Sequence, residues 1–274
     1  ENMTEYSTPR RLAVCIKSLQ VCQANKSVER RGPAVSAAFD KEGNPTKAVL
    51  GFAKSCGIEV ADLEKIETDK GAWVAYTVQQ KGKKTVQLIP DIVRNALDKL
   101  PIPKRMRWSS LDIEFVRPVH WIVLLFGQDI IPAEIYGIKS NRHTRGHRFH
   151  NNQALELSHV SEYKQTLYEG KVIADFSERM QIVKNRVAQL AKNIEGTAVI
   201  DLDLLEEVTA MVEWPFAIAG DFEQRFLDVP SEALISAMKH HQKYFHLVNE
   251  KGDLMPAFIT VCNIESTNPS SVRA

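Results

Sequence analysis

The sequence predicts a mixed fold between α/β and α+β, built as two small mixed α/β units around separate cores. Three observations carry this expectation. Alternating and 3.6-period apolar patterns interleave along the chain instead of segregating into blocks. A stiff connector, Pro101-Ile102-Pro103, separates two such stretches. The chain has 274 residues, 44% apolar and 25% charged, which is enough to bury two cores. The units are expected at 1–100, an N-terminal α+β unit incomplete at its start, and at 101–274, a mixed α/β domain with a buried central strand near 121–126.

The elements follow in order. Arg11 to Val21 alternates weakly and reads as a strand. After the Arg30-Arg31-Gly32-Pro33 turn, Ala48, Val49, Phe52, Ala53 and Cys56 recur at helical spacing, and Gly57 ends that helix. Val60 to Lys65 reads as a second, short helix. Trp73 to Gln79 alternates as a strand with Lys81-Gly82 as its turn, and Val86, Ile89, Ile92, Val93, Ala96 and Leu97 mark a helix closed by Pro101.

In the second unit the run Trp121 to Phe126 is apolar on both faces and closed by Gly127, which predicts a buried central strand with Ile130 to Ile138 as its neighbour. Lys139 to His150 has no apolar period and reads as a loop or strand end. Asp175 with Glu178 predicts a capped helix in which Phe176, Met180, Val183, Val187, Leu190 and Ile194 keep a 3.6 period up to Gly196. Asp203 with Glu206 predicts another, shorter and acidic, running towards Trp214-Pro215. Strands at Phe216 to Ala219 and Met255 to Cys262 bracket a helix from Ser231 to Lys239, with Ser231 as its N-cap.

Composition excludes several classes. No uncharged apolar run approaches the roughly 18 residues of a membrane span. Residues 1–6 carry neither an initiator Met nor the pattern of a secretory signal, and the chain reads as an excised fragment of a cytoplasmic protein. The cysteines, Cys15, Cys22, Cys56 and Cys262, form no C-x-x-C pair, which fits reduced thiols and argues against a thiolate zinc site.

Lys and Arg total 35 against 34 Asp and Glu, a net charge of +1, but the charges are not spread evenly. Between Asn193 and Gln224 lie Glu195, Asp201, Asp203, Glu206, Glu207, Glu213, Asp221 and Glu223 with no Lys or Arg among them. Between Lys139 and His150 the balance inverts, with Lys139, Arg142, Arg145 and Arg148 and no acid. Two opposite faces are implied.

The sharpest motif is Thr144-Arg145-Gly146-His147-Arg148-Phe149-His150. Guanidinium forks match phosphate, a glycine lets the backbone approach closely, and Phe149 could stack on a base. Two readings stay open: an RNA contact through Arg142, Arg145, His147, Arg148 and Phe149, and a solvated turn whose arginines pair with the acidic segment. His143 and His147 lie four apart with His150 beyond, but no carboxylate or cysteine sits nearby and the arginines oppose a dication, so no metal site is expected. A second constellation, Met238 to His246, contributes Lys239, His241 and Lys243, either as a nucleic-acid-facing corner or as cations favoured at a helix C-terminus. A third, Lys104, Arg105 and Arg107 with Arg117 and His120 beyond, either continues that surface or caps a helix. None of the motifs G-x-x-x-x-G-K-[ST], G-x-G-x-x-G, G-x-S-x-G or H-E-x-x-H occurs, and no catalytic residue is assigned.

Read in order, Thr8-Pro9-Arg10-Arg11-Leu12-Ala13-Val14, Arg31-Gly32-Pro33-Ala34-Val35 and Leu100-Pro101-Ile102-Pro103-Lys104-Arg105-Met106-Arg107-Trp108 resemble the β subunit of bacterial glycyl-tRNA synthetase. So do Phe115-Val116-Arg117-Pro118-Val119, Thr144 to Phe149, Leu204-Leu205-Glu206-Glu207-Val208, Val212-Glu213-Trp214-Pro215 and His241-Gln242-Lys243-Tyr244-Phe245. The resemblance covers essentially the whole chain, as an N-terminal part of a longer subunit. A weaker likeness runs to a domain of the phenylalanyl-tRNA synthetase β chain. One departure is His246, where the family more usually has Pro.

The resemblance implies a part in glycine-tRNA ligation as a tRNA-binding and assembly module. ATP and Mg would belong to a separate α subunit that activates glycine, with two α and two β subunits in the enzyme and tRNA-Gly as the nucleic-acid partner. The alternative is a hydrolytic proofreading-like domain using His147 or His241 as base, which needs a partner group within hydrogen-bond reach.

Overall fold

The computed structural model describes residues 2–68, 71–110 and 112–266. Helices and several small antiparallel sheets interleave along the chain, the mixed architecture expected. The residues fall into two compact units, one of 20–92 and one that joins 1–19 to 93–274. The expected boundary near residue 100 differs from this division chiefly at the start, because β1 (Met3–Thr8) and β2 (Arg11–Ile16) belong with the larger unit. They form an antiparallel hairpin in which Tyr6 faces Ala13. Tyr6 packs with Leu155 and Tyr163 against the buried cluster Leu167, Val172 and Ala174, an association no local pattern could announce.

In the smaller unit, β3 (Lys26–Ala34), α1 (Lys47–Cys56), β4 (Glu64–Thr68) and β5 (Gly71–Gln80) build an antiparallel sheet of order β3-β5-β4 with a helix on it. Val49 and Ala53, four residues apart, give α1 its buried face, and Val49 meets Ala38 and Val74 in the core. Gly57 ends α1 in the left-handed region at φ 72°, its N–H bonded to the carbonyls of Ala53 and Lys54. The short helix expected over Val60 to Lys65 is a 3-10 turn at Val60–Asp62, after which the chain enters β4. A segment this short has too few apolar positions for a period to tell helix from strand. The helix expected next is present as α2 (Thr85–Asp98), which counts with the smaller unit as far as Ile92.

The larger unit is centred on a four-stranded antiparallel sheet. Besides β1, β2 and several two-residue strand pairs between residues 106 and 139, its elements include, in chain order, β6 (His143–Arg145), β7 (Ala154–Glu156), α3 (Tyr163–Glu169), α4 (Phe176–Asn193), β8 (Thr197–Ala198), α5 (Leu202–Met211), β9 (Phe216–Asp221), α6 (Ser231–Ser236), β10 (Phe245–Val248) and β11 (Leu254–Cys262). The main sheet has the order β8-β10-β11-β9. Val183, Val187 and Ala191 of α4, with Leu204, Leu205 and Val208 of α5, pack on Phe245, Leu247 and Ile259 of the sheet. Each of those sheet residues is fully buried, which stabilises by about 1.5–3 kcal/mol apiece.

Three expectations change here. Trp121 to Phe126 is not a central strand: Leu125–Phe126 pairs with Asp129–Ile130 across the Gly127 turn, Val123 makes an isolated parallel bridge with Asn141, and the whole run is half-buried. Its backbone is satisfied by short irregular pairings, Leu124 N donating to Asn141 O and Asn141 N to Ile122 O, and not by a continuous ladder. The N-cap of α5 is Asp201, whose carboxylate accepts from Leu204 N at 3.0 Å, and not Asp203. The helix expected to start from an N-cap at Ser231 is capped by Pro230 without a side-chain bond, and after Ser236 it widens into a π-helical turn at Ala237–Gln242 that ends on Lys243 at φ 60°.

Candidate nucleic-acid interface

The basic motif occupies the exit of β6 and the loop to β7, where Arg145 stands opposite Ala154. Main-chain bonds hold this loop at both ends: Gly146 N donates to Gln153 O at 3.1 Å, His147 N to Gly170 O at 2.8 Å, and Asn151 N to His147 O at 2.9 Å. Gly146 is required by space, since a Cβ there would collide with the Asn151 carbonyl and come within 3.0 Å of Gly170 O. Inside the loop His147 is fully buried, and its Nδ1 accepts from the N–H of Phe149 and of His150, both at 3.2 Å. Burial holds this imidazole below its ordinary pKa, partly offset by Asn263. A ring that accepts two N–H groups at Nδ1 is neutral there, with its proton on Nε2.

Beneath the loop lies a buried charged network. Arg11 from β2 donates through Nη1 to Glu213 Oε1 and through Nη2 to the carbonyls of Arg145 at 2.5 Å and Gly146 at 3.2 Å. Thr8 Oγ1 donates to the same Glu213 oxygen at 2.7 Å, and the ring of Trp121 faces the Arg11 guanidinium with its centroid 5.5 Å away. Arg179, on the buried face of α4, donates to the carbonyls of Ile173 at 2.6 Å, Ser7 at 2.8 Å and Thr209 at 3.1 Å. Burial pushes Arg179 down to about 10 and Tyr163 up to about 12; it also lowers Arg11, against the opposing attraction of Glu213.

The structure thus brings some candidates to the surface and withdraws others. Arg145, Arg148 and Phe149 point outward; Phe149 is 72% exposed, and neither arginine side chain has a hydrogen-bond or ion-pair partner among the described residues. Arg142 is half-buried and donates to Gln128 O at 3.0 Å. His147 does not face solvent, because its ring serves the turn's own N–H groups.

Lys239 and Lys243, expected as possible phosphate contacts, are ion-paired to the acidic helix: Lys239 Nζ with Asp201 Oδ2 at 2.7 Å and Lys243 Nζ with Glu207 at 2.8 Å. Asp201 and Glu207 of the acidic segment are therefore answered by these lysines, and not by the arginines of the loop. His241 is exposed. In the third group Lys104 is exposed, Arg105 donates to Asp98 O at 2.8 Å, and Arg107 pairs with Asp112 and Glu114, each at 3.0 Å on an exposed surface.

Arg11, Arg179 and Glu213 had no role assigned from the sequence. One signal was there to read: Arg179 falls on the apolar face of its helix, in register with Phe176, Met180 and Val183, and Glu213 sits between Val212 and Trp214. His147 and Glu213 are near one another, but both are buried, and two concavities among the described residues lie elsewhere. One follows Asn185, Gln189 and Phe216; the other is an apolar groove between Phe222, Met238 and Tyr244. This arrangement does not favour a hydrolytic role. Among the described residues no group of three His, Cys, Asp or Glu could hold a metal ion, and no helix is long and apolar enough to cross a membrane.

A family model described as glycyl-tRNA synthetase beta subunit matches residues 1–274. The chain belongs to that family. A glycine–tRNA ligase beta subunit from Marinobacter nauticus is 54% identical over 269 residues, 97% of this chain and 39% of that protein. The corresponding proteins of Chromohalobacter salexigens and Shewanella pealeana are 52% and 47% identical over 267 and 275 residues, covering 97% and 100% of this chain. The chain spans about two-fifths of the length of those relatives, 39% and 40%.

Proposed function

We propose that this segment is a tRNA-binding and assembly part of the β subunit of a glycine-tRNA ligase, the enzyme that joins glycine to tRNA-Gly at the expense of ATP. The partner would be a separate α subunit that holds ATP and its magnesium and forms the adenylate, with two copies of each subunit working in the cytoplasm. The relatives' names support the ligase, and the unpaired cysteines suit a reducing compartment.

The observation that carries the RNA contact is the loop Thr144 to His150. Its backbone is tied down from within, while Arg145 and Arg148 are exposed, without side-chain partners among the described residues, in the same loop as the exposed ring of Phe149. Exposed guanidinium groups carried on a held main chain, with an exposed aromatic ring in the same loop, fit phosphate and an unpaired base.

The test is Arg145→Ala, and separately Arg148→Ala, in the assembled enzyme. Each should weaken tRNA binding and lower the slope of log affinity against log salt by about 0.7–0.9 per lost contact, with glycine adenylation unchanged. A lowered melting temperature with an unchanged slope would end the proposal for this loop.

A further inference from the structure

We infer that Arg11 is a positioning residue for the basic loop: held by Glu213, it fixes the carbonyls of Arg145 and Gly146 and so sets the direction in which Arg145 and Arg148 meet phosphate. The inference rests on the reading of that loop as the phosphate contact.

The geometry argues for placement over stability. Arg11 and Glu213 are 3% and 1% exposed in their side chains, and a buried ion pair is often no more stabilising than apolar residues of the same volume. This pair is not fully satisfied either, since Arg11 Nε and Glu213 Oε2 have no hydrogen-bond partner among the described residues. What the pair provides is a fork. One guanidinium edge takes the carboxylate and the other takes two successive main-chain carbonyls, at the point where the chain leaves β6. A lysine ammonium is a point charge without that planar spread. Glu213 is itself set by Thr8 and by Asn263 Oδ1, which accepts from the N–H of Glu213 at 2.6 Å and of Trp214 at 3.2 Å. The loop's direction is thereby tied to two distant parts of the chain, and the Trp121 ring covers the fork.

The experiment is a double-mutant cycle in the full-length β subunit assembled with its α subunit, with tRNA affinity measured across a salt series for Arg11→Lys, Arg145→Ala and both together. Arg145→Ala alone should weaken binding about tenfold, as loss of one charged contact does. In the Arg11→Lys background it should add less than about twofold, because the misdirected Arg145 no longer meets its phosphate. An equal loss in both backgrounds would overturn the positioning role and leave the RNA contact standing. No loss from Arg145→Ala in the otherwise unaltered enzyme would overturn the RNA contact, and this inference with it. If Arg11→Lys does not assemble, the same cycle with Thr8→Val, which removes the hydroxyl that donates to Glu213 and accepts the N–H of Arg10, carries the same outcomes.

Discussion

Asp201 and Lys239 meet at 2.7 Å, and the same carboxylate also accepts the N–H of Leu204 as the N-cap of α5. One side chain therefore starts the acidic helix and anchors the π-helical turn that carries Lys239. The ammonium of Lys239, followed by the backbone bonds, holds the Asp201 carboxyl below the usual aspartate range. Asp201→Ala should cost about 1 kcal/mol from the lost cap alone, read as a lowered urea midpoint. Because the folded pKa is depressed, this contribution is present above about pH 3.9 and is lost as pH falls through the lower folded value.

Lys239 and Lys243 carry the same charge as Arg145 and Arg148 but stand differently towards solvent. Each is already paired with a carboxylate of the acidic segment. Lys239→Ala in the assembled enzyme should leave the salt slope of tRNA binding where it was, within about 0.2, while Arg145→Ala lowers it. A slope change from Lys239→Ala equal to that from Arg145→Ala would show that this corner also meets the nucleic acid.

His147 predicts a pH dependence with a definite sign. Its folded pKa lies below the ordinary histidine value because of burial, so the unfolded chain binds the extra proton more readily. Its contribution to stability is fully present above about pH 6.5 and is lost as pH drops from there through the folded value. His246, also lowered by burial, acts in the same direction. His147→Asn keeps an acceptor for the N–H groups of Phe149 and His150 and removes the titration. Denaturation midpoints at pH 5 and pH 8 should differ less in that variant than in the parent.

Gly146→Ala tests the crowding of the loop. A Cβ at this position meets the Asn151 carbonyl and approaches Gly170 O, both main-chain atoms that cannot rotate away. The substitution should destabilise by about 1–3 kcal/mol and raise hydrogen exchange at the N–H groups of Gly146, His147 and Asn151.

Arg179→Met should be among the most damaging single changes in the larger unit. The guanidinium donates to the carbonyls of Ser7, Ile173 and Thr209, and its removal takes that donor from each, in buried surroundings at Ile173 and Thr209. A loss of about 3–5 kcal/mol is expected in chemical denaturation, with no change in the salt slope of the fraction that stays folded.

Much of this molecule was determined locally, by the sequence alone. The helices α1, α2 and α4 follow from apolar positions three and four apart and from Gly57 and Asp175 at their ends, because a helical face is decided by neighbours within a turn or two. The same holds for the basic, unpatterned character of Lys139 to His150, whose charge and glycine placed it at a strand end. The pairing of distant residues was decided only by the tertiary structure. Arg11 finds Glu213 across 202 positions, Lys239 finds Asp201 across 38, and the hairpin of residues 3–16 joins the second unit. Which arginines remained free, and why Trp121 to Phe126 is half-buried and irregular, depended on what packing placed beside them. A periodic pattern states which face of a segment is apolar. It carries no information on which other segment will cover that face, because that choice is made by shape and charge between parts of the chain that are far apart in order.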